Sequence, residues 1–319
     1  MRYYFLFFLM SFFLISCTKE STNKVDVSGI SVDYDVQRFD IDFYTSNTSE
    51  LNDVQNKYPY LFPKTTHDSV WIGKINNSDE QELFKETQKV YQDFSKTEKE
   101  LSSLFQHVKY YNESFKVPDV VTVLSNIDYE YRIVYSNTLV FISLDVYLGK
   151  AHQFYNEYPD YIKENNIQER IVVDLANKMI EGQVSKSLDR TFLSKMIVAG
   201  KKLYLLDLYV PLTSDQHKIG YSKEKYDWAL GNEDQVWRYF IENNLLYSTD
   251  TKLNKRFLDI APFSKFYLAE DNKSPGRIGQ WIGWQIVRSF MQKNDVSLQS
   301  LLSMSEEEIF TKSKYKPKK

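Results

Sequence analysis

Apolar residues recur along this chain in two different periods. From Ile30 to Phe43 they alternate: Ile30, Val32, Tyr34 and Val36 share one phase, and Phe39, Ile41 and Phe43 the other. Period-two alternation predicts strand, with a bulge or turn at the phase slip near Gln37-Arg38. Ser78 opens a long helical stretch, with Gln81 at capping-box spacing. Leu83, Tyr91, Phe94, Leu101, Phe105 and Val108 mark its buried face. Pro118 closes that region. Val120 to Leu124, Tyr129 to Tyr135 and Thr138 to Leu144 then read as strands, with turn chemistry at Ser136-Asn137. Together they predict a small antiparallel meander.

From Lys150 onward the period is helical. Helices are predicted over 150–164, 168–184, 189–209, 223–230, 233–244 and 275–294. Another follows Ser305, which has Glu308 at capping-box spacing. Ser274-Pro275 has the chemistry of a helix start, with Ser as N-cap and Pro in the first turn. Strands gathered early and helices late predict an α+β fold, with a small antiparallel sheet in the N-terminal half and a mostly helical C-terminal half. A single domain is expected over 30–311. The basic tail over 312–319 is expected to fray and to aid solubility.

The N-terminus changes the picture of where the protein resides. Arg2 precedes an apolar run from Tyr3 to Ile15, too short to span a bilayer comfortably. It fits a signal peptide over 1–17. Leu14-Ile15-Ser16-Cys17 has the form of a bacterial lipobox, which assigns Cys17 as the lipidation site. Cys17 is the one cysteine of 319 residues, which excludes an internal disulfide framework and cysteine-based metal cages. Polar residues 18–29 read as a flexible tether. The expectation is a lipid-anchored protein of the cell envelope that faces the periplasm.

Composition narrows the chemistry. With 40 Lys plus Arg against 43 Asp plus Glu, the charge balance gives no support to a nucleic-acid partner. The 24 Tyr, 21 Phe and 5 Trp divide between core and partner surface in a proportion the sequence leaves open. His67, His107, His152 and His217 are far apart, and no pair has i,i+4 metal-ligand spacing. No Gly-x-Ser-x-Gly elbow and no Gly-rich phosphate loop is present. No cofactor is called for. The faint hints of a hydrolase are His152 near Asp145 and His217 after Pro211. In SPGRIGQWIGWQIVRSFM (residues 274–291), Gly279 and Gly283 lie four apart and allow a second element to approach. Arg277, beside Trp281 and Trp284, marks a candidate partner or anion site. The competing reading is close helix packing, with Arg277 in a structural ion pair.

The lipobox at Cys17, FISLDVYLGKAHQFY (141–155), MIVAGKKLYLLDLYVP (196–211) and the 274–291 segment together resemble the gliding-motility lipoprotein GldB family of Bacteroidetes. The resemblance covers nearly the whole chain. It implies an envelope lipoprotein required for surface gliding, with other gliding-motility or type IX secretion envelope proteins as partners. The family is also distantly similar to zinc-dependent proteases of the HExxH class, in which two His at i and i+4 bind zinc and a Glu activates water. The counterpart here is Val173-Asp174-Leu175-Ala176-Asn177, with Ala199 before Gly200 at the third-ligand position. Valine and alanine cannot ligate zinc. The implied protein is a zincin-like scaffold that has lost its metal and acts by binding other proteins. An envelope peptidase or other hydrolase with an unrecognised site is the alternative.

Overall fold

The computed structural model describes residues 25–318. Cys17, the signal peptide and residues 18–24 of the tether lie outside the described residues. The chain runs β1 (Val36–Gln37), α1 (Phe39–Tyr44), α2 (Leu51–Lys57), α3 (Asp68–Ile75), α4 (Ser78–Tyr91), α5 (Ser95–Tyr111), β2 (Asp119–Val123), β3 (Ile133–Tyr135) and β4 (Leu139–Ser143). Helices then follow: α6 (Asp160–Lys163), α7 (Ile171–Ile180), α8 (Phe192–Tyr209), α9 (Asp215–Ile219), α10 (Lys223–Gly231) and α11 (Glu233–Glu242). The last four are α12 (Lys252–Phe257), α13 (Ile278–Lys293), α14 (Leu298–Ser303) and α15 (Glu306–Ser313). This is the α+β division that the change of period predicts.

The sheet is mixed rather than antiparallel. Its order is β1-β2-β4-β3, with β1 parallel to β2, β2 parallel to β4, and only β3 antiparallel to β4. Alternation marks a strand but not the direction of its neighbour. Here β4 enters between β2 and β3. The 124–132 segment crosses the end of the sheet through a turn in which Asn126 and Ile127 have φ of 58° and 56°. The sheet separates two cores. Val120, Val140 and Ile142 face the large helical core, while Val121, Leu139 and Phe141 face a small one built on Phe39, Phe43, Tyr58 and Phe62.

Four further expectations need correction. Phe39 to Phe43 is helix α1, not strand; Phe39 and Phe43 are four apart and their rings stack at 5.1 Å. Over five residues, alternate apolar positions also include an i,i+4 pair, so the period cannot discriminate. Residues 30–35 are extended but lie against α5 instead of in the sheet: Tyr34 Oη is 2.9 Å from Ser102 Oγ, and Gln106 Nε2 donates to Ile30 O at 3.0 Å. The long helix expected from Ser78 breaks into α4 and α5, where Asp93 Oδ1 accepts from Ser95 N at 2.9 Å. Asn77, not Ser78, caps α4, accepting from the amides of Asp79 and Glu80. Gln81 instead donates to Ile75 O at 2.7 Å and Tyr44 O at 2.9 Å.

At the other end, Ser305 caps α15 as its spacing predicts, accepting from Glu308 N at 3.3 Å. The tail beyond it is docked over its described length. Tyr315 Oη donates to Glu233 Oε1 at 2.9 Å, Lys318 N donates to the same oxygen at 3.1 Å, and Tyr315 meets Trp237 edge-on at 5.2 Å.

Helices α8 and α13 form the central crossing. A Cβ on Gly283 would lie 1.8 Å from Met196 O, and one on Gly200 would lie 2.2 Å from Gly283 O. Glycine therefore lets the two backbones touch here, and the close approach expected of the 274–291 segment is present.

Candidate functional site

Two groups of charge flank the α8–α13 crossing. The first is closed. Asp207 near the end of α8 accepts from Arg288 Nε at 2.7 Å, Arg288 Nη2 at 2.6 Å, Trp284 Nε1 at 2.9 Å and Lys218 Nζ at 3.0 Å. Arg288 reaches Asp215 with Nη1 at 2.6 Å and Nη2 at 2.8 Å, and its guanidinium lies 3.7 Å from the Trp284 ring centroid. Two acids thus meet two bases. Burial pushes the Asp215 carboxyl up, but the hydrogen bonds and charge of Arg288, together with the charge of Lys218, outweigh it and hold the group below its ordinary value.

The second group surrounds α7. Asp174 pairs with Arg170 one turn before it, accepts from Tyr147 Oη at 3.0 Å, and lies 3.8 Å from Arg132 Nη1. Burial, reinforced by that carboxylate, raises the Tyr147 phenol well above its usual range. Arg170 also donates to the carbonyls of His217 and Lys218, while its buried Nε has no partner among the described residues.

Beside this group, Asn177 and Ala199 line one cavity of about 280 Å³. Its other walls carry Arg170, Lys195, Lys202, Lys218 and Arg277, with Asp259 as the one acid. Val173 is fully buried in the core and is not part of the lining. Of the positions expected to mark a degenerate zinc site, the fold thus brings two together, Asn177 and Ala199. Asp174 stands aside in its own ion pairs. The residues present do not fit zinc: Val173 and Ala199 offer no donor atom, and five cationic side chains repel a dication.

Arg277 has a different place from the one expected. Helix α13 begins after it, at Ile278, and Arg277 takes φ of 58° as the flanking residue. Ser274 is buried and bonded to Ser264 and to Asp271 O, so it does not cap α13. Among the described residues Arg277 makes no ion pair. Its Nη2 donates to Ile219 O at 2.6 Å and to Gly220 O at 3.3 Å, and it lies 5.8 Å from the Tyr221 ring centroid. Burial lowers its pKa from the ordinary value. Trp281 and Trp284 belong to the core, each about 1% exposed or less, and are no part of a partner surface. Trp281 Nε1 donates to Glu233 Oε2 at 3.2 Å.

Arg277 also lines an open groove of about 1050 Å³. Tyr221, Pro262, Phe263 and Pro275 give this groove apolar surface, and Lys163 and Lys225 are among its polar walls. Lys225 donates to Asn272 O at 2.5 Å and to Ser274 O at 2.9 Å, so it too is a cation held by carbonyls. A Cβ on Gly276 would sit 2.1 Å from Ala261 O, which fixes the loop carrying Pro262 and Phe263 against the start of α13. Sequence reasoning did not single out this groove, because its walls come from four separate segments.

The histidines are dispersed. His67 caps α3, and His107 Nδ1 lies 2.7 Å from Ser103 O. His152 faces Glu86 at 3.6 Å, whereas Asp145 accepts from the amides of Ser125 and Ile127. His217 shares a third cavity, of about 370 Å³, with Glu100 and Glu169.

The fold and these sites define a helix-rich α+β protein with an open groove and a cation-lined cavity that have Arg277 in common. Among the described residues no helix is long and apolar enough to cross a membrane. The model of one family, described as gliding motility protein GldB, matches residues 20–317. The chain belongs to that family and is a gliding-motility-related lipoprotein of the cell envelope. No curated protein and no solved structure matches it, so the similarity to zinc-dependent proteases has no support from these comparisons.

Proposed function

We propose that this protein serves the gliding machinery as a lipid-anchored binding protein, and that the groove beside Arg277 receives an extended segment of a partner protein. The supporting observation is the groove itself: about 1050 Å³, open, with aromatic and proline surface and two cations, Lys225 and Arg277, held only by backbone carbonyls. A site built for a compact substrate is more enclosed than this. Aromatic and arginine side chains at a groove centre are the usual anchors of a protein partner. On this reading the protein is a pseudoenzyme, with Cys17 carrying the lipid, the body facing the periplasm, and its partners drawn from the gliding and type IX secretion proteins. Asp174, the residue nearest to a catalytic role, has its carboxylate occupied by Arg170 and Tyr147.

The test is photocrosslinking in living cells from a reactive residue placed at Lys163, with the exposed Tyr60, which is not in the groove lining, as control. A discrete adduct with a motility or secretion component, formed from position 163 alone, is the expected result. Recovery of the protein without adducts contradicts the reading.

A hydrolase has one observation in its favour, the shared cavity of His217, Glu100 and Glu169. Burial lowers the His217 pKa and raises that of Glu100, an arrangement compatible with proton transfer. His217→Ala separates the two readings: gliding persists if the groove carries the function and fails if this cavity does.

A further inference from the structure

The groove reading leaves unexplained why so much positive charge gathers at the inner end, where Asn177 and Ala199 meet. The cations divide into two kinds. Arg170 is matched by Asp174, and Lys218 by Asp207 and Asp215. The other three form no salt bridge among the described residues. Lys195 donates only to the neutral Asn254 Oδ1, at 3.2 Å. Lys202 is exposed and has no partner among the described residues. Arg277 donates only to the carbonyls of Ile219 and Gly220. Asp259 is exposed and supplies the one acid of the lining. Like charges converging on one cavity cost free energy unless a counter-charge joins them.

We infer that this cavity is an anion subsite, which takes a carboxylate of the protein segment lying in the groove, either a Glu or Asp side chain or the C-terminal group. Arg277 is common to the linings of both spaces, and on this inference a chain lying in the groove turns one acidic side chain past it towards Lys195 and Lys202. A volume of about 280 Å³ is ample for one acidic side chain. The charge that a zinc ion would bring to such a place is thus supplied by side chains, which hold an anion without polarising it for hydrolysis.

This inference rests on the groove reading, and the experiment separates the two. Full-length lipoprotein in detergent is titrated with an array of extended decapeptides, each made once with a central Glu and once with Gln. Inorganic phosphate is titrated in parallel. The expected result is that a subset binds with the Glu form at least tenfold tighter. That preference falls to within twofold in Lys195→Gln/Lys202→Gln, a variant that touches no buried ion pair. Half a molar salt weakens the Glu form and leaves the Gln form unchanged. Equal binding of Glu and Gln forms overturns the anion subsite while the groove reading stands. Binding of phosphate with no peptide binding overturns the peptide carboxylate as the ligand, and binding of neither overturns both readings.

Discussion

One helix, α8, carries two opposite treatments of charge. Near its C-terminal end Asp207 joins Arg288, Lys218 and Asp215 in a network in which every charge has a counter-charge. About one and a half turns earlier Lys202 and, further back, Lys195 line a cavity whose one acid is the exposed Asp259, and neither lysine forms a salt bridge among the described residues. The first arrangement satisfies itself and needs nothing from outside, so it fixes α8 against α9 and α13. The second is incomplete within the protein. The difference teaches where to look for function: a structural charge is recognised by its partner, and a functional one by the lack of it.

The comparison breaks most visibly on the closed side. Arg288→Met leaves Asp207 and Asp215 with Lys218 alone, and removal of one member of a buried network costs about 3–5 kcal/mol. Denaturant unfolding of the purified protein is expected to show a loss of that size. Gly283→Ala acts on the same crossing through packing. Helix propensity alone would predict a gain of up to about 1 kcal/mol, but the new Cβ meets the Met196 carbonyl at 1.8 Å. Backbone cannot yield as a side chain can, so the net result is a loss of about 3 kcal/mol, the upper end of the overpacking range, read in the same unfolding experiment.

Asp145 sharpens the comparison because its partners are amides rather than cations. Burial raises its pKa from 3.8 to about 6, partly offset by the N–H groups of Ile127 and Ser125. A carboxyl whose folded pKa exceeds its unfolded one stabilises the protein most when protonated. Its contribution is full below pH 3.8 and is lost as pH rises through about 6. At roughly 1.4 kcal/mol per pKa unit, up to about 3 kcal/mol is at stake. The Asp145 contribution to stability is therefore expected to rise as pH falls from 7 to 5, and the difference between the pH profiles of the parent and Asp145→Asn is expected to show it. Asp215, held low by Arg288, contributes nothing over that window; its stabilisation is lost only below about pH 3.8.

The smallest effect belongs to the open side. Lys195→Gln/Lys202→Gln removes cations that satisfy no buried acid, so stability is expected to stay within about 0.5 kcal/mol of the parent. A loss as large as that of Arg288→Met would place these lysines among the structural charges.

Much of this was legible from the residues, in a graded way. The helices α8, α10, α11 and α13 follow from apolar periods and α15 from the Ser305–Glu308 spacing, while Gly279 and Gly283 announce a close approach to α13 without saying which element makes it. Short elements were not legible. Helices α1, α2, α3, α9, α12 and α14 have eight residues or fewer, too few to display a period. Sheet direction was hidden because alternation is the same in either sense. Of the candidate site, Arg277 was named for its place in the sequence, while its neighbours Lys195, Lys202 and Lys225 were not. A lysine without a partner looks the same in sequence as one with a partner. Trp281 and Trp284 misled for the converse reason: aromatic side chains suit an interface and a core equally, and only the fold places them under Glu233 and Asp207.

The central claim is that the unpaired cations, not a catalytic group, carry the protein's role. Gliding of cells whose sole copy bears Lys195→Gln/Lys202→Gln tests it most directly, with envelope abundance measured on the same cells. The account predicts normal abundance and lost or strongly slowed gliding. Normal gliding at normal abundance would contradict it.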